Sequence, residues 1–456
     1  MARNIPISAD AHAPPITLTL ARFVASHPSR GWSDAVEREA HRTWLNWLGC
    51  AIGAARHDAP QAALAACQVL QPAAQAAVLG RPQRVDVASA ALINGISSHT
   101  FDFDDTHLKT IIHPAGPVAP ALLALAELTG ASGRQLIDAL VLGIEVSCRI
   151  GNVMYPAHYD RGWHITGSTG MLGAAAGCAR LLGLNEAQTA MALGIAASQP
   201  VGLREQFGSM SKALHPGAAA RVGLMSALMA RAGFTASPRA LEAPRGLVQV
   251  VSTQFDWNEA TRGLGESFEI SLNTYKPFAC GIVVHPAIDA CVQLREQGVQ
   301  AAAVQRIELQ VHPLVLELTG KKEPADGLQA KFSVYHGCAV GLIFGRAGED
   351  EYADAIVNRA DVVALRRQVV AEVDPQMPEE SVVAVAQLVD GRRIELQVRQ
   401  AVGSLHKPLS DAALAAKFHQ LVDPLLGPAR ADELVSRCQQ TAAATELRTL
   451  ALRCQP

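Results

Sequence analysis

The segment 383–398, VAVAQLVDGRRIELQV, decides the fold class. Val383 to Val389 is apolar at every position but Gln387, Ile394 to Val398 alternates apolar and polar, and Asp390-Gly391 stands between the two runs. A period of two places one set of side chains on a single face of a strand. Asp-Gly supplies the backbone that a tight turn between antiparallel strands needs, so the segment reads as a β-hairpin. Upstream, Ile307-Glu-Leu309-Gln-Val311 and Phe268-Glu-Ile270-Ser-Leu272 alternate in the same way and read as strands. Helical spacing occupies Pro286–Gln297, Tyr335–Phe344 and Asp361–Val370. Residues 267–402 therefore read as an α+β domain.

Outside that stretch the texture differs. From Ile16 to about Phe234, apolar residues recur every three or four positions, as at Trp44, Leu45, Leu48 and Ile52. Asn185-Glu-Ala-Gln188 has the form of a capping box ahead of Ala190–Ala197. Gly143 interrupts the run Leu136–Val146, a cost that close helix packing can offset. Helical periodicity returns after Pro408, through Leu414, Phe418 and Leu421 to Leu452. The expected fold is mainly α. A large all-helical domain, residues 1–266 completed by 403–456, carries a smaller α+β domain, residues 267–402.

The 456 residues are 49% hydrophobic and 18% charged, enough apolar material for a large core. A net charge of -3 without a basic tract argues against nucleic acid as a partner. Asp138, Glu145, Gln199 and Pro200 break the most apolar stretches before any reaches the length of a membrane span. Met1–Phe23 lacks the charged start and apolar run of a signal peptide. The nine cysteines are odd in number and never fall at C-x-x-C spacing, which disfavours a disulfide framework or a zinc site. A cytoplasmic location is expected.

Four segments place a basic side chain at or just before a Pro/Gly turn that reads as a helix start. They are His113-Pro-Ala-Gly116, His164-Ile-Thr166-Gly167, Lys212-Ala-Leu-His215-Pro-Gly217 and His285-Pro-Ala-Ile288. Helix N-termini attract carboxylates and disfavour imidazolium, which keeps a histidine neutral and basic. Should the four ends converge, they form a polyanion pocket containing bases; apart, they are ordinary helix starts with capping histidines. Phe101–His107 holds Asp102, Asp104 and Asp105, which are costly to bury unless paired. It is either a solvated acidic loop or part of a site, one carboxylate orienting a histidine or acting as base and Thr106 donating a hydrogen bond. A metal reading lacks a second ligand cluster in the sequence. Gly162–Gly170 reads as a hydroxyl- and glycine-rich turn suited to a carboxylate, without the ending of a P-loop. Lys212 and Lys276 are either partners of substrate carboxylates or solvated lysines. Cys280, five residues before His285, is either a nucleophile or a buried inert thiol. Tyr335 and His336 either line the pocket or pack in the core.

At these residues the chain resembles the MmgE/PrpD family. The matching stretches are Ser98–Thr106 with His113–Gly116, Gly162–Gly167, Ser211–Ala219, Lys276–Cys280 with His285-Pro286, and Ala330–Ser333. The resemblance implies a large all-α domain with a smaller α+β lid, a homodimer, no metal and no cofactor. It implies a catalytic set of Asp102, Thr106, His113, His164 and Lys212. Lys276 and His285 then come from the second domain, and Thr166, His215, Cys280, Tyr335 and His336 join them as substrate-binding candidates. The family's activities share protonation or deprotonation beside a carboxylate. They include 2-methylcitrate dehydratase, cis-aconitate decarboxylase and iminodisuccinate epimerase. The main expectation is a dehydratase-like lyase acting on a small di- or tricarboxylate; epimerase, decarboxylase and a non-catalytic carboxylate-binding scaffold are the alternatives. Gly281 stands where some decarboxylase relatives carry histidine, and the Lys276–Cys280 run with Tyr335-His336 resembles the epimerase branch.

Overall fold

A computed structural model describes residues 13–28 and 32–456. The signal-peptide reading of Met1–Phe23 falls mostly outside them. Helix accounts for 59% of the structure, and the few strands form small sheets, so the class is mainly α with a smaller α+β part. Among the described residues no helix is long and apolar enough to cross a membrane.

The helices that carry the argument start where capping chemistry allows. Helix α1, Asp34–Gly53, begins after Ser33, whose hydroxyl accepts from Val36 N–H, and it buries Trp44, Trp47, Leu48 and Ile52. Helix α2, Val87–Thr100, is capped by Asp86. Helices α3 (Ala115–Thr129), α4 (Gly133–Met154) and α5 (Ile165–Leu181) follow. Helix α6, Glu186–Ala197, carries the capping box of Asn185 and Gln188 that its sequence foretold. Helix α7 spans Met210–Arg231. Helices α2, α3, α4, α5 and α7 pack together as the central bundle.

Gly143 explains itself in this bundle. A Cβ there would lie 2.8 Å from the carbonyl oxygen of Gly173, and one at Gly173 would lie 2.6 Å from that of Gly143. Helices α4 and α5 thus approach backbone to backbone, and the packing offsets the helix cost of glycine.

The first part is not wholly helical. Strands β1 (Ala76–Ala77) and β2 (Arg84–Val85) pair, and β3 (Asp105–His107) follows α2. The alternation at Phe268–Leu272 does not make a strand: Glu269–Leu272 is a 3-10 turn, and only β4, Asn273–Tyr275, is extended. Ile270 is buried while Leu272 is exposed, so the alternating side chains do not share one core face.

Beyond it, helices α8 (His285–Glu296), α9 (Val334–Phe344) and α10 (Ala360–Gln368) accompany strands β5 (Val304–Val311), β6 (Val369–Val373), β7 (Val382–Leu388) and β8 (Arg393–Val398). The sheet order is β6-β5-β7-β8, with β6 parallel to β5 and the other pairs antiparallel. The hairpin turns at Gly391, whose φ is +87°. Helix α10 ends at Gln368, two residues before the expected Val370, because Val369 already enters the β6 ladder beside Ile307. Helix α11, Asp411–Leu426, returns to the helical body and packs Phe418 against Gly49 of α1.

Gly143→Val forces two methyl groups into the α4–α5 contact. The expected loss is about 1–3 kcal/mol, read as a lower guanidinium midpoint; an unchanged midpoint would show that the helices can separate freely there.

Candidate active site

After α2 the chain turns through Asp102, whose φ of +52° lies in the left-handed region, and enters β3. Strand β3 pairs antiparallel with β4, Asp105 opposite Tyr275 and Thr106 opposite Thr274. That register brings Lys276, next after β4, to Asp102. Lys276 Nζ lies 2.6 Å from Asp102 Oδ1 and 3.1 Å from the Asp102 carbonyl oxygen. Lys212, in the first turn of α7, reaches the same Oδ1 at 2.9 Å. All three side chains are buried. Burial opposes ionisation of Asp102, but Lys212 and Lys276 outweigh it and hold the carboxyl well below its usual range. Burial also works against the Lys276 ammonium, which Asp102 and Asp104 overcome, raising its pKa. At Lys212 burial wins over the pull of Asp102, and the pKa falls.

Two further lysines hold the turn. Lys331 Nζ donates to the Phe101 carbonyl at 2.8 Å, and Lys417 Nζ donates to the Phe103 carbonyl at 2.5 Å and the Lys276 carbonyl at 2.9 Å. Three successive carbonyls, 101 to 103, thus each receive an ammonium from a different segment.

The histidines stand opposite. His113 precedes α3; its Nδ1 lies 2.7 Å from the Asp105 carbonyl oxygen and 3.4 Å from Asp104 Oδ1. A carbonyl only accepts, so Nδ1 carries the proton and Nε2 is the free basic atom. Thr166 Oγ1 accepts from His113 N–H at 3.1 Å, and Thr106 Oγ1 lies 3.3 Å from Nδ1. Burial pushes the His113 imidazole down to about 3, against the opposing charge of Asp104. His164 sits at the N-cap of α5, its N–H bonded to the Gly202 carbonyl at 3.0 Å. Gly202 has φ of +103°, and a Cβ there would press on both His164 and His215 at 3.1 Å. His164 Nδ1 and His215 Nδ1 are 2.8 Å apart, so one proton lies between the two rings. Burial lowers both, His164 well below its usual value and His215 to about 4. All these imidazoles are neutral bases near pH 7.

His99, in the last turn of α2, donates from Nδ1 to Asp104 Oδ2 at 2.6 Å, and its ring centre is 4.8 Å from that of His113. Burial opposes ionisation of Asp104, but His99 and His113 hold it far below the normal carboxylate range. Asp105 is the reverse case. Burial and the charge of Asp104 push it up to about 7, against hydrogen bonds from Asn273 and the Ala115 N–H.

Asp102, His113, His164, Lys212 and Lys276 line a single narrow cleft. A larger hollow beside Gln199 and Phe234 is lined by Arg239 and Arg245 but by no histidine or carboxylate. Thr106, Thr166 and His215 stand directly behind the cleft wall. His285 lines an adjoining hollow, its ring edge-on to Phe278.

Several readings of the sequence are corrected. The acidic stretch is no solvated loop: Asp102, Asp104 and Asp105 are all buried. Lys212 to Gly217 lie inside α7 rather than ahead of it, and Gly167–Gly170 belong to α5, not to a turn. Gly170 there admits Pro117 of α3 against the helix. Cys280 is buried and its thiol is pushed up to about 12 by desolvation, which leaves it inert. Tyr335 and His336 do not line the cleft. Both lie on α9 in the core of the second part, where His336 Nε2 bonds the Glu351 carbonyl at 3.0 Å.

His99, Asp104, Lys331 and Lys417 were not singled out as site residues. His99, Asp104 and Lys331 lie in the motif stretches and could have been found there; Lys417 is one lysine of an amphipathic helix and carries no signal. The ligand atoms of His99, Asp102, Asp104 and His113 lie within 4.8 Å of one another, close enough to surround a cation. Two ammonium groups already occupy Asp102, however, and repel a divalent ion from it.

Fold and cluster together define a two-part, mainly helical protein with its buried acid–base groups where the parts meet. The chain belongs to the MmgE/PrpD family: residues 18–260 match the N-terminal domain and residues 278–441 the C-terminal domain. It is 26% identical over 445 residues to a cis-aconitate decarboxylase-like protein of Aspergillus oryzae, covering 91% of this chain and 92% of that protein. Human cis-aconitate decarboxylase is 26% identical over 423 residues (86% and 85%). Escherichia coli 2-methylcitrate dehydratase is 24% identical over 392 residues (78% and 79%).

The raised pKa of Asp105 has a stability consequence. Between pH about 4 and about 7 the folded chain keeps a proton on Asp105 that the unfolded chain has released. Its stabilising effect is therefore full below pH 3.8 and is lost as pH rises through 7. Asp105→Asn, neutral at every pH, should raise the melting temperature relative to wild type more at pH 8 than at pH 5. An equal difference at the two values would remove Asp105 from this role.

Proposed function

We propose that the chain is a lyase acting on a small di- or tricarboxylate. A histidine removes the proton beside a carboxylate, and a group on the neighbouring carbon then departs, in the manner of a dehydratase. One observation carries this reading: neutral imidazoles and two lysine ammoniums face the same cleft. Lys212 and Lys276 line the cleft and share one oxygen of Asp102, so a substrate carboxylate entering it meets two ammonium groups. The starts of α3 and α5 add N–H dipoles of the same sign. As the proton leaves carbon, charge grows on the substrate's carboxylate oxygens, where these fixed groups stabilise it.

His113 Nε2 is the base in this scheme. The imidazolium it forms faces Asp104, 3.4 Å from Nδ1, as a buried carboxylate supports a histidine base elsewhere. The imidazolium at His113 then returns that proton to the departing group, which His164, held by its contact with His215, hydrogen-bonds. Proton transfer of this kind typically contributes about 10²–10⁴-fold. Acid, base and cations suffice for it, without a cofactor.

The relatives support a lyase. Loss of carbon dioxide rather than water would use the same cations, and the activity named for the decarboxylase relatives makes it the second reading. Incubation of candidate acids in D₂O, followed by NMR, separates the outcomes. Alkene formation marks elimination of water, and loss of one carboxylate signal marks decarboxylation. Deuterium uptake at carbon with neither marks epimerisation and overturns the lyase reading.

His164→Ala should abolish turnover with an unchanged circular dichroism spectrum; full activity would remove His164 from the mechanism. Lys212→Ala deletes a charge-assisted contact worth about 1.5–3 kcal/mol, so KM for tricarboxylates should rise at least about tenfold with a smaller fall in kcat. An unchanged KM would end its role as a carboxylate clamp.

A further inference from the structure

His99, His113 and His164 come from three separate places, the end of α2 and the entries to α3 and α5. One ring nitrogen from each lies within 4.8 Å of the other two. The ring centres are 4.8, 5.6 and 6.4 Å apart. Each ring engages a protein partner through Nδ1. His99 donates to the Asp104 carboxylate at 2.6 Å, His113 donates to the Asp105 carbonyl at 2.7 Å, and His164 meets His215 at 2.8 Å. Nε2 is the nitrogen left over on each ring, and that of His99 is buried without a protein partner. A carboxylate or backbone carbonyl behind one nitrogen is how proteins orient a histidine whose other nitrogen binds a metal. Burial keeps all three imidazoles neutral at pH 7, the form in which histidine is a ligand.

We propose that His99, His113 and His164 form a binding site for a borderline divalent cation, Zn²⁺, and that the bound ion inhibits the enzyme. Zinc takes imidazole nitrogens at about 2.0–2.1 Å and accepts three protein ligands with a fourth position left to a small molecule. Its tetrahedron sets nitrogens about 3.3 Å apart, so the triad contracts by about 1.5 Å at its widest. Lys212 and Lys276 keep an ion off Asp102, so the imidazoles alone hold it. Imidazole suits zinc, whereas Mg²⁺ and Ca²⁺ need oxygen ligands. The ion occupies the lone pair with which His113 takes the substrate proton. That inhibition rests on the lyase reading; the site itself does not.

Calorimetric titration of the wild-type chain at pH 7 with ZnCl₂ and, separately, with MgCl₂ tests the site. One Zn²⁺ should bind tightly per chain and Mg²⁺ should not. His99→Asn keeps a donor to Asp104 and deletes Nε2. Loss of an outer partner of a metal ligand costs about 10–100-fold in affinity, so loss of the ligand itself should weaken zinc at least about 100-fold. His164→Ala removes a second ligand and serves if the first variant does not fold. Absence of zinc binding to the wild type overturns the proposal, as does equal affinity for Mg²⁺ or a folded variant that keeps the wild-type zinc affinity. Turnover of the wild type at buffered free Zn²⁺ separates the site from the activity. Binding that depends on His99 but leaves turnover unchanged removes His113 as the base and leaves the site standing. Inhibition without such binding overturns the site and leaves the base in place.

Discussion

Asp102 Oδ1 lies within hydrogen-bonding distance of both Lys212 and Lys276, and the site is organised around that shared oxygen. Taking an ion out of water costs several kcal/mol even after the protein relaxes. None of the three groups could be buried alone. Their pairing requires the end of α2, the start of α7 and the residue after β4 to meet at one point, which fixes the second part of the chain against the helical bundle. The β3–β4 register supplies that alignment, since Asp105 opposite Tyr275 leaves Lys276 beside Asp102.

The same point carries backbone strain. A non-glycine residue in the left-handed region costs about 1–3 kcal/mol and persists only when its surroundings over-determine it. Here the carbonyls of Phe101, Asp102 and Phe103 are held by Lys331, Lys276 and Lys417. The lysines come from residues 276, 331 and 417, all distant in sequence from the turn. A strained acidic turn fixed by ammonium groups presents its carboxylate in one orientation, as a site built for charge recognition requires. Desolvation at the same time strips the protons from the imidazoles facing it, so cations and neutral bases coexist a few ångströms apart.

Much of this could be read in advance. His113, His164 and His285 stand at helix starts as their Pro and Gly neighbours indicate, because capping and helix entry are local events. The Asp-Gly hairpin and the Asn185 capping box formed for the same reason. The failures were equally physical. Gly167 and Gly170 look like turn residues, yet they serve the close approach of α3 and other neighbours to α5, a demand set by a partner far away in sequence. Tyr335 and His336 have the chemistry of site residues, but the face of α9 they occupy is turned into the core. Phe268–Leu272 alternates without forming a strand, since no neighbouring strand pairs with it.

The sequence by itself determined the mainly helical class with its smaller α+β part, and it named the residue types that gather at the cleft. Periodicity, turn chemistry and capping depend on neighbours a few positions apart, and such rules need no third dimension. Only the tertiary structure decided whether the acidic stretch was solvated or buried, which carboxylate met which cation, and which nitrogen of His113 was left basic. Those outcomes depend on desolvation and on Coulomb forces between groups brought together from residues 99 to 417, and both are set by distances that a linear chain does not contain.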